Sequence, residues 1–419
     1  MRIEGGDGQE GDPGSWLPLM LEVKILDARG RPVSNRRVTW EGAENGHVEG
    51  VTTTTDGDGR ATARFQLGEA PGPAAATARV DGMPPVRFTL RVKGAEPEPG
   101  IPYDVFHLLD LVTYAGSGET VHPDVALTPG FGFQQLMAIT PYPGGDAGYE
   151  NPSVFDGRSA RQWLVPAGLR NPVALPLQGG HLSDPDLVVV PESGELYLYY
   201  RAADGNNRIL LTRSRNGMQW TAPQEILAVP NHRLISPAVV RRGPGDWWMW
   251  SIDGGSAGCS ARQGWLEVRR SMDGFNWLQA ERLDLAHDGL FPWHVDVQWI
   301  PSRAEFWAVY NAKHPGSCTT PALFLARSPD GRQWTPTGAP LLTKGVIPEL
   351  RDIVYRATFR YDPANDDLWL WVSGARLGAG SRYTWRTALQ RRRAGEVLNA
   401  VPMLPPVFEP APLELTEWP

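Results

Sequence analysis

Four tryptophans, Trp163, Trp220, Trp277 and Trp334, recur at a fixed interval of 57 residues, and the last three close the near-identical strings SRNGMQW, SMDGFNW and SPDGRQW. A period of this size marks a chain that uses one supersecondary unit several times, because no single unit can bury its apolar face alone. Each unit repeats the same order of segments. An apolar run comes first (HPDVAL, DPDLVVV, SPAVV, HVDVQWI, YRATFRY). An aromatic run follows (LYLYYRA, WWMWSID, EFWAVYNA, LWLWVSG), then a third (RILLTRS, WLEVRRS, ALFLARS, WRTALQR). These runs are short, rich in β-branched and aromatic residues and bounded by Gly, Asp and Asn, which reads as strands joined by tight turns. A fourth strand after each Gly-x-x-Trp turn completes a sheet, and five such sheets predict a five-bladed β-propeller over residues 104–419. The fifth unit lacks the Trp motif, so the segment from Ile101 to Thr120 is expected to help close the ring.

The 419 residues exceed what one hydrophobic core usually holds, about 250–300 residues, so a second domain is expected. Residues 1–93 supply it. Leu19, Leu21, Val23 and Ile25 alternate with polar neighbours, as do Ala61, Ala63 and Phe65, and Val86, Phe88, Leu90 and Val92. Asp56-Gly57-Asp58-Gly59 is a turn between them. Period-2 patterning with closely spaced turns predicts a β-sandwich. Residues 94–103, rich in Pro, Gly and Glu, read as a semi-rigid linker. The fold class expected for the whole chain is therefore all-β.

The net charge of −7 disfavours nucleic acid as a partner. No apolar run reaches the ~18 residues of a membrane span. The polar, Gly-rich stretch Met1–Gly14 has no basic and apolar regions of a secretory signal.

In a propeller the first strand of each blade lines the central channel, and the loops after second strands open on the same face as the first-strand starts. That geometry collects His122, Asp124, Asp184, Asp186, His294, Asp296 and Arg356 from first strands, with Glu150, Asn151, Tyr149 and Arg201 from the neighbouring loops. Trp293 stands beside His294, and Glu349 precedes the first strand of blade five. Buried acids are costly unless paired, hydrated or used. Acids, amides and aromatic faces around one opening suit a sugar, whose hydroxyls need polar partners and whose C–H faces stack on rings. Cys259 and Cys318 fall in equivalent loops of blades three and four and are expected to form a disulfide, which suits an oxidising setting. No Cys/His spacing suggests zinc, so no metal and no cofactor are expected; the alternative is Ca²⁺ held in the channel by His122, Asp124, His294 and Asp296.

Two resemblances accompany this reading. The run GDGQEGDPGSWLPLMLEVKILDARGRPVSNRRVTW, with TTTDGDGRATARF, resembles the bacterial Ig-like domain of the intimin/invasin type, which implies an Ig-like sandwich acting as a spacer or adhesive module in surface adhesins and phage structural proteins. The strings HPDV and SDPDLV, with the fivefold repeat, resemble the propeller glycoside hydrolases, especially families 43 and 32. That resemblance implies Asp184 as general base, Asp124 as the residue tuning its proton affinity, and a Glu as general acid. The Glu-Gly-Pro acid motif of those families is missing, which leaves Glu150 in YENPS and Glu349 in IPELRD as substitutes. The reading put first is surface-glycan recognition by a propeller on an Ig-like spacer, as a phage tail or head spike for host attachment, in a virion or extracellular setting, touching other virion or surface proteins through the Ig-like domain. The alternative is a glycoside hydrolase that cleaves a polysaccharide with Asp184 as base. A structural virion protein with a vestigial mouth is the third.

Overall fold

A computed structural model describes residues 1–11, 14–68, 72–93, 101–175, 180–230, 232–285 and 289–400. The chain is all-β, as its alternation predicts. Most of the expected linker and the last 19 residues of the expected propeller span, 401–419, lie outside the described residues.

The first unit consists of two four-stranded sheets. One orders Arg2–Gly5, Leu21–Lys24, Arg60–Leu67 and Gly46–Gly50; the other orders Glu10–Gly11, Val86–Val92, Gly72–Arg79 and Thr39–Glu44. Alternate residues of these strands, including Leu21, Val23, Ala61, Ala63, Phe65 and Phe88, form a single core between the sheets. Leu19 is 62% exposed, because the strand starts at Leu21 and the alternation does not extend to it. The turn at Asp56 is closed by its own carboxylate, which accepts from the backbone N–H groups of Asp58 and Arg60.

The second unit is a five-bladed propeller. Its blades begin with the strands Thr120–Leu127, His181–Val190, Ile235–Gly243, Phe291–Ile300 and Ile353–Asp362. Within blades one to four the strands pair in chain order. Blade five takes its fourth strand, Phe106–Leu108, from the start of the unit, where it pairs antiparallel with Tyr383–Arg393. This closure accounts for the missing Trp motif in the fifth repeat and leaves no free edge at the seam.

The 57-residue repeat is a device for joining blades. In SMDGFNW, Asp273 accepts from the backbone N–H groups of Phe275 and Asn276, while Ser271 accepts from Gly274; in SPDGRQW, Asp330 accepts from Arg332 and Gln333. The turn thereby presents a carbonyl to the preceding blade. Tyr199 Oη donates to Gly274 O, Trp250 Nε1 to Gly331 O and Trp371 Nε1 to Ala160 O, each at 3.0 Å. The motif tryptophans follow, with Trp277 edge-on to Tyr199, Trp334 to Trp250 and Trp163 to Trp371. Aromatic rings that bury large areas suit this joint, and those of Tyr199, Trp250 and Trp371 also satisfy their polar groups across it.

Candidate functional site

Each first strand enters the channel through the same irregularity. The register with the second strand shifts between Val121 and Asp124, Ser183 and Asp186, Ile235 and Ala238, Pro292 and His294, and Val354 and Ala357. In blades one to three the bulged residue has a left-handed backbone: His122 at φ 57°, Asp184 at 52° and Ser236 at 55°. Left-handed non-glycine residues are uncommon, and bulges re-aim side chains beside functional sites. The result is two stacked tiers written in the sequence as HPD, DPD, SPA, HVD and RAT. The upper tier is His122, Asp184, Ser236, His294 and Arg356. The lower tier, one pleat deeper, is Asp124, Asp186, Ala238, Asp296 and Thr358.

The upper tier converges on Asp184, which is fully buried. Its Oδ1 lies 3.5 Å from His122 Nε2, 3.2 Å from His294 Nδ1 and 3.7 Å from Arg356 Nη1. Its Oδ2 lies 3.2 Å from both Arg201 Nε and Ser183 Oγ. Burial raises the proton affinity of this carboxyl, but His122, Arg201 and His294 outweigh it and hold the group well below the usual carboxylate range. Burial lowers the proton affinity of both histidines, His122 strongly and His294 less, with Asp184 opposing the shift. Asp184 Oδ1, His122 Nε2 and His294 Nδ1 have no partner in hydrogen-bond geometry among the described residues. The three side chains can bring one ligand atom each within 4.8 Å of one another. His122 Nδ1 sits 3.3 Å from Thr140 Oγ1, which orients the ring. Ser236 does not join them, because its hydroxyl donates to Val295 O in the next blade.

The lower-tier carboxylates are also gathered, and they tie blades together. Asp124 accepts from Leu187 N at 2.6 Å, Asp186 from Val239 N at 3.1 Å, and Asp296 from Thr358 Oγ1 at 2.9 Å. Burial raises all three, and repulsion from neighbouring carboxylates adds to the rise of Asp124, to about 7, and of Asp186. They lie beneath the upper tier, which places Asp124 and Asp186 away from a sugar in the mouth. The cation expected across both tiers is therefore split between two clusters, and the His/Asp/His cluster draws on Asp184, which that expectation left out.

Glu150 faces the upper tier from the loop after the second strand of blade one. It is 5% exposed, and Oε2 is 3.4 Å from His181 Nε2. Burial raises it to about 8, with Arg201 opposing and Asp184 reinforcing the rise. Tyr149 is exposed, and Asn151 is buried with its side-chain amide donating to Tyr114 Oη. Tyr355 packs against both histidines, edge-on to His294 with ring centroids 4.4 Å apart and tilted against His122 at 5.4 Å. Trp293 is edge-on to His294 and carries the Lys313 ammonium 3.9 Å above its ring. Cys259 and Cys318 are joined by a disulfide that links the mouth loops of blades three and four. Glu349 lies in the short turn Pro348–Leu350, and among the described residues no hydrogen bond or ion pair ties it to the cluster.

Sequence reasoning missed His181, Lys313 and Tyr114. His181 was within reach, since it opens the first strand of blade two, three residues before Asp184. Nothing in the sequence singled out the other two.

No protein-family model matches the chain. The A type blood N-acetyl-alpha-D-galactosamine deacetylase of Flavonifractor plautii is 27% identical over 321 residues, 65% of this chain, and the chain spans only 40% of that relative's length. The crystal structure of an N-acetylgalactosamine deacetylase from F. plautii, in complex with blood group B trisaccharide, matches with a TM-score of 0.64 at 23% identity, covering 71% of this chain and 97% of that one. A thermostable family-43 glycoside hydrolase matches at a TM-score of 0.50 and 12% identity, covering 68% of this chain and 92% of the other. The fold is that of the propeller glycoside hydrolases. The likeness to the deacetylase corrects the expectation of a phage virion component for host attachment: the relative is a glycan-modifying enzyme. That expectation leaned on the missing Glu-Gly-Pro acid, but the absence of one glycosidase group removes one chemistry, not catalysis. No helix among the described residues is long and apolar enough to cross a membrane.

Proposed function

We propose that the propeller is a metal-assisted hydrolase that removes N-acetyl groups from an amino sugar of a glycan. The observation that carries this reading is the spacing of three buried atoms: His122 Nε2 and His294 Nδ1 stand 3.5 and 3.2 Å from Asp184 Oδ1. Ligands about 2.0–2.1 Å from a tetrahedral ion are separated by roughly 3.3 Å, so two imidazoles and a carboxylate at these distances match an open zinc-type site. The 27% identity to a galactosamine deacetylase supports the choice of reaction.

A divalent ion held by His122, Asp184 and His294 would supply Lewis acidity toward the amide carbonyl. The ionised form of Glu150, buried and close to the cluster and favoured as pH rises through about 8, takes a proton from the attacking water and returns it to the departing nitrogen. Water adds to the acyl carbon, the C–N bond breaks, and acetate and the free amino sugar leave. Arg201 and Ser183 hold one oxygen of Asp184, which leaves the other directed between His122 and His294. Tyr355 packs against both histidines and fixes the orientation of their rings. In this reading Asp184 is a ligand, since its low proton affinity suits an ionised donor better than a base.

The first unit serves as a spacer, a role supported by its two-sheet architecture and its resemblance to intimin/invasin-type domains. The disulfide supports an extracellular setting.

The test is to strip the protein with a chelator, restore it with Zn²⁺, Mn²⁺ or Ca²⁺, and assay acetate and reducing ends released from a panel of N-acetylated glycans. Ion-dependent acetate without new reducing ends supports the proposal. Reducing ends without acetate would establish glycosidic cleavage instead.

A further inference from the structure

We propose that Tyr114 is a positioning residue for Glu150, carried into place by the same chain segment that closes the propeller ring; the inference rests on the role given to Glu150 above. The segment leaves the closing strand Phe106–Leu108 with Leu109 N still bonded to Thr387 O of blade five. It then forms a tight turn, in which Thr113 N and Thr113 Oγ1 both donate to Ser117 O and Gly116 N donates to Thr113 O. Gly116 has φ 71°, which fits the turn to glycine. Tyr114 stands in this turn and reaches the loop of blade one.

Its hydroxyl brackets Glu150. It donates to Tyr149 O at 2.7 Å and accepts from Asn151 Nδ2 at 2.7 Å, so one group bonds both neighbours of the carboxyl-bearing residue. A phenol has one donor and two acceptor sites, and this arrangement uses it in both senses. The other end of the loop is held from the same segment. Glu119 accepts from Gly144 N at 3.1 Å and from Trp385 N at 3.0 Å, and its carbonyl accepts from Tyr142 N. Residues 142–151 are thus gripped at both ends by residues 114–119, while the Glu150 carboxyl itself has the His181 imidazole as its close neighbour at 3.4 Å. A displacement of a proton-transfer group by about 1 Å can cost up to a hundredfold in rate.

Tyr114→Phe keeps the ring and removes both bonds. In acetate release the expected result is a kcat loss of about tenfold to a hundredfold, with KM and bound metal unchanged. The same substitution made in a Glu150→Gln protein is expected to cost little further. An equal loss in both backgrounds overturns the proposal, because Tyr114 then acts elsewhere, and so does an unchanged kcat. Should the unsubstituted protein release no acetate at all, the proposed reaction fails and the positioning claim is read from a crystal structure of Tyr114→Phe. A Glu150 Oε2–His181 Nε2 distance lengthened from 3.4 Å supports it, and a retained distance overturns it.

Discussion

Replacing Asp184 by Asn changes one buried charge and almost no volume, and its consequences follow from the polar groups around it. Two are permanent cations: Arg201 Nε at 3.2 Å, with a side chain 12% exposed, and Arg356 Nη1 at 3.7 Å, fully buried. At an effective dielectric near 20, the attraction across 3.7 Å is roughly 4–5 kcal/mol. Removing one partner of a buried ion pair costs about 3–5 kcal/mol. The lower-tier carboxylates also lie within electrostatic reach of Arg356, so the metal-free variant is expected near the lower end, about 3 kcal/mol. Guanidinium unfolding after chelator dialysis, followed by tryptophan fluorescence, measures this directly. Repeating the measurement with added Zn²⁺ separates the two jobs of the residue: a ligand that binds only the folded state stabilises by RT ln(1 + [L]/Kd). The wild type is expected to gain stability with Zn²⁺, and Asp184→Asn to gain little. An unchanged midpoint without metal, together with an equal Zn²⁺ gain in both proteins, would refute the picture of Asp184 as hub and ligand.

Trp250→Phe leaves the buried Gly331 carbonyl unpaired across the blade three–four joint and is expected to cost about 1–3 kcal/mol in the same unfolding assay; no loss would deny the joint its role. The double substitution Cys259→Ser, Cys318→Ser opens a loop with a sequence separation of 59 residues, for which the loop-closure relation gives roughly 4 kcal/mol, checked against reductant-treated wild type. Glu150 binds its proton more tightly in the folded protein, about 8 against 4.5, so it contributes stability below pH 4.5 that is lost as pH rises through 8. Glu150→Gln in metal-free protein is therefore expected to raise the melting temperature relative to wild type more at pH 8 than at pH 5, and a constant difference would argue against the buried neutral carboxyl.

Local patterning carried the architecture. Strand identity, blade number and the turn motif depend on alternation and on a fixed period, both of which are properties of consecutive residues. Closure by Phe106–Leu108 was legible because the fifth repeat lacked its last strand. The channel residues were legible too, since a propeller sends the start of every first strand to one axis. Their division into tiers was not: it depends on a bulge at His122, Asp184 and Ser236, and the left-handed backbone there is set by pairing across the sheet. The split assigned Asp184 to a cluster with two histidines and sent Asp124, Asp186 and Asp296 down to tie blades together. Chemistry turned on that division. Read along the chain, Asp184 and Asp124 looked like a glycosidase pair, and the lack of a Glu motif looked like a lack of catalysis.

The sequence by itself determined the two all-β units, the five blades and the set of side chains that crowd the axis, because hydrophobic periodicity and turn chemistry act over a few residues. Only the tertiary structure decided which of those side chains touch. His122, Asp184 and His294 are separated by 62 and 110 residues of chain, and their distances of 3.2 to 3.5 Å exist only once the ring has closed. The same holds for Tyr114 and the residues flanking Glu150, which meet because the closing strand delivers one to the other.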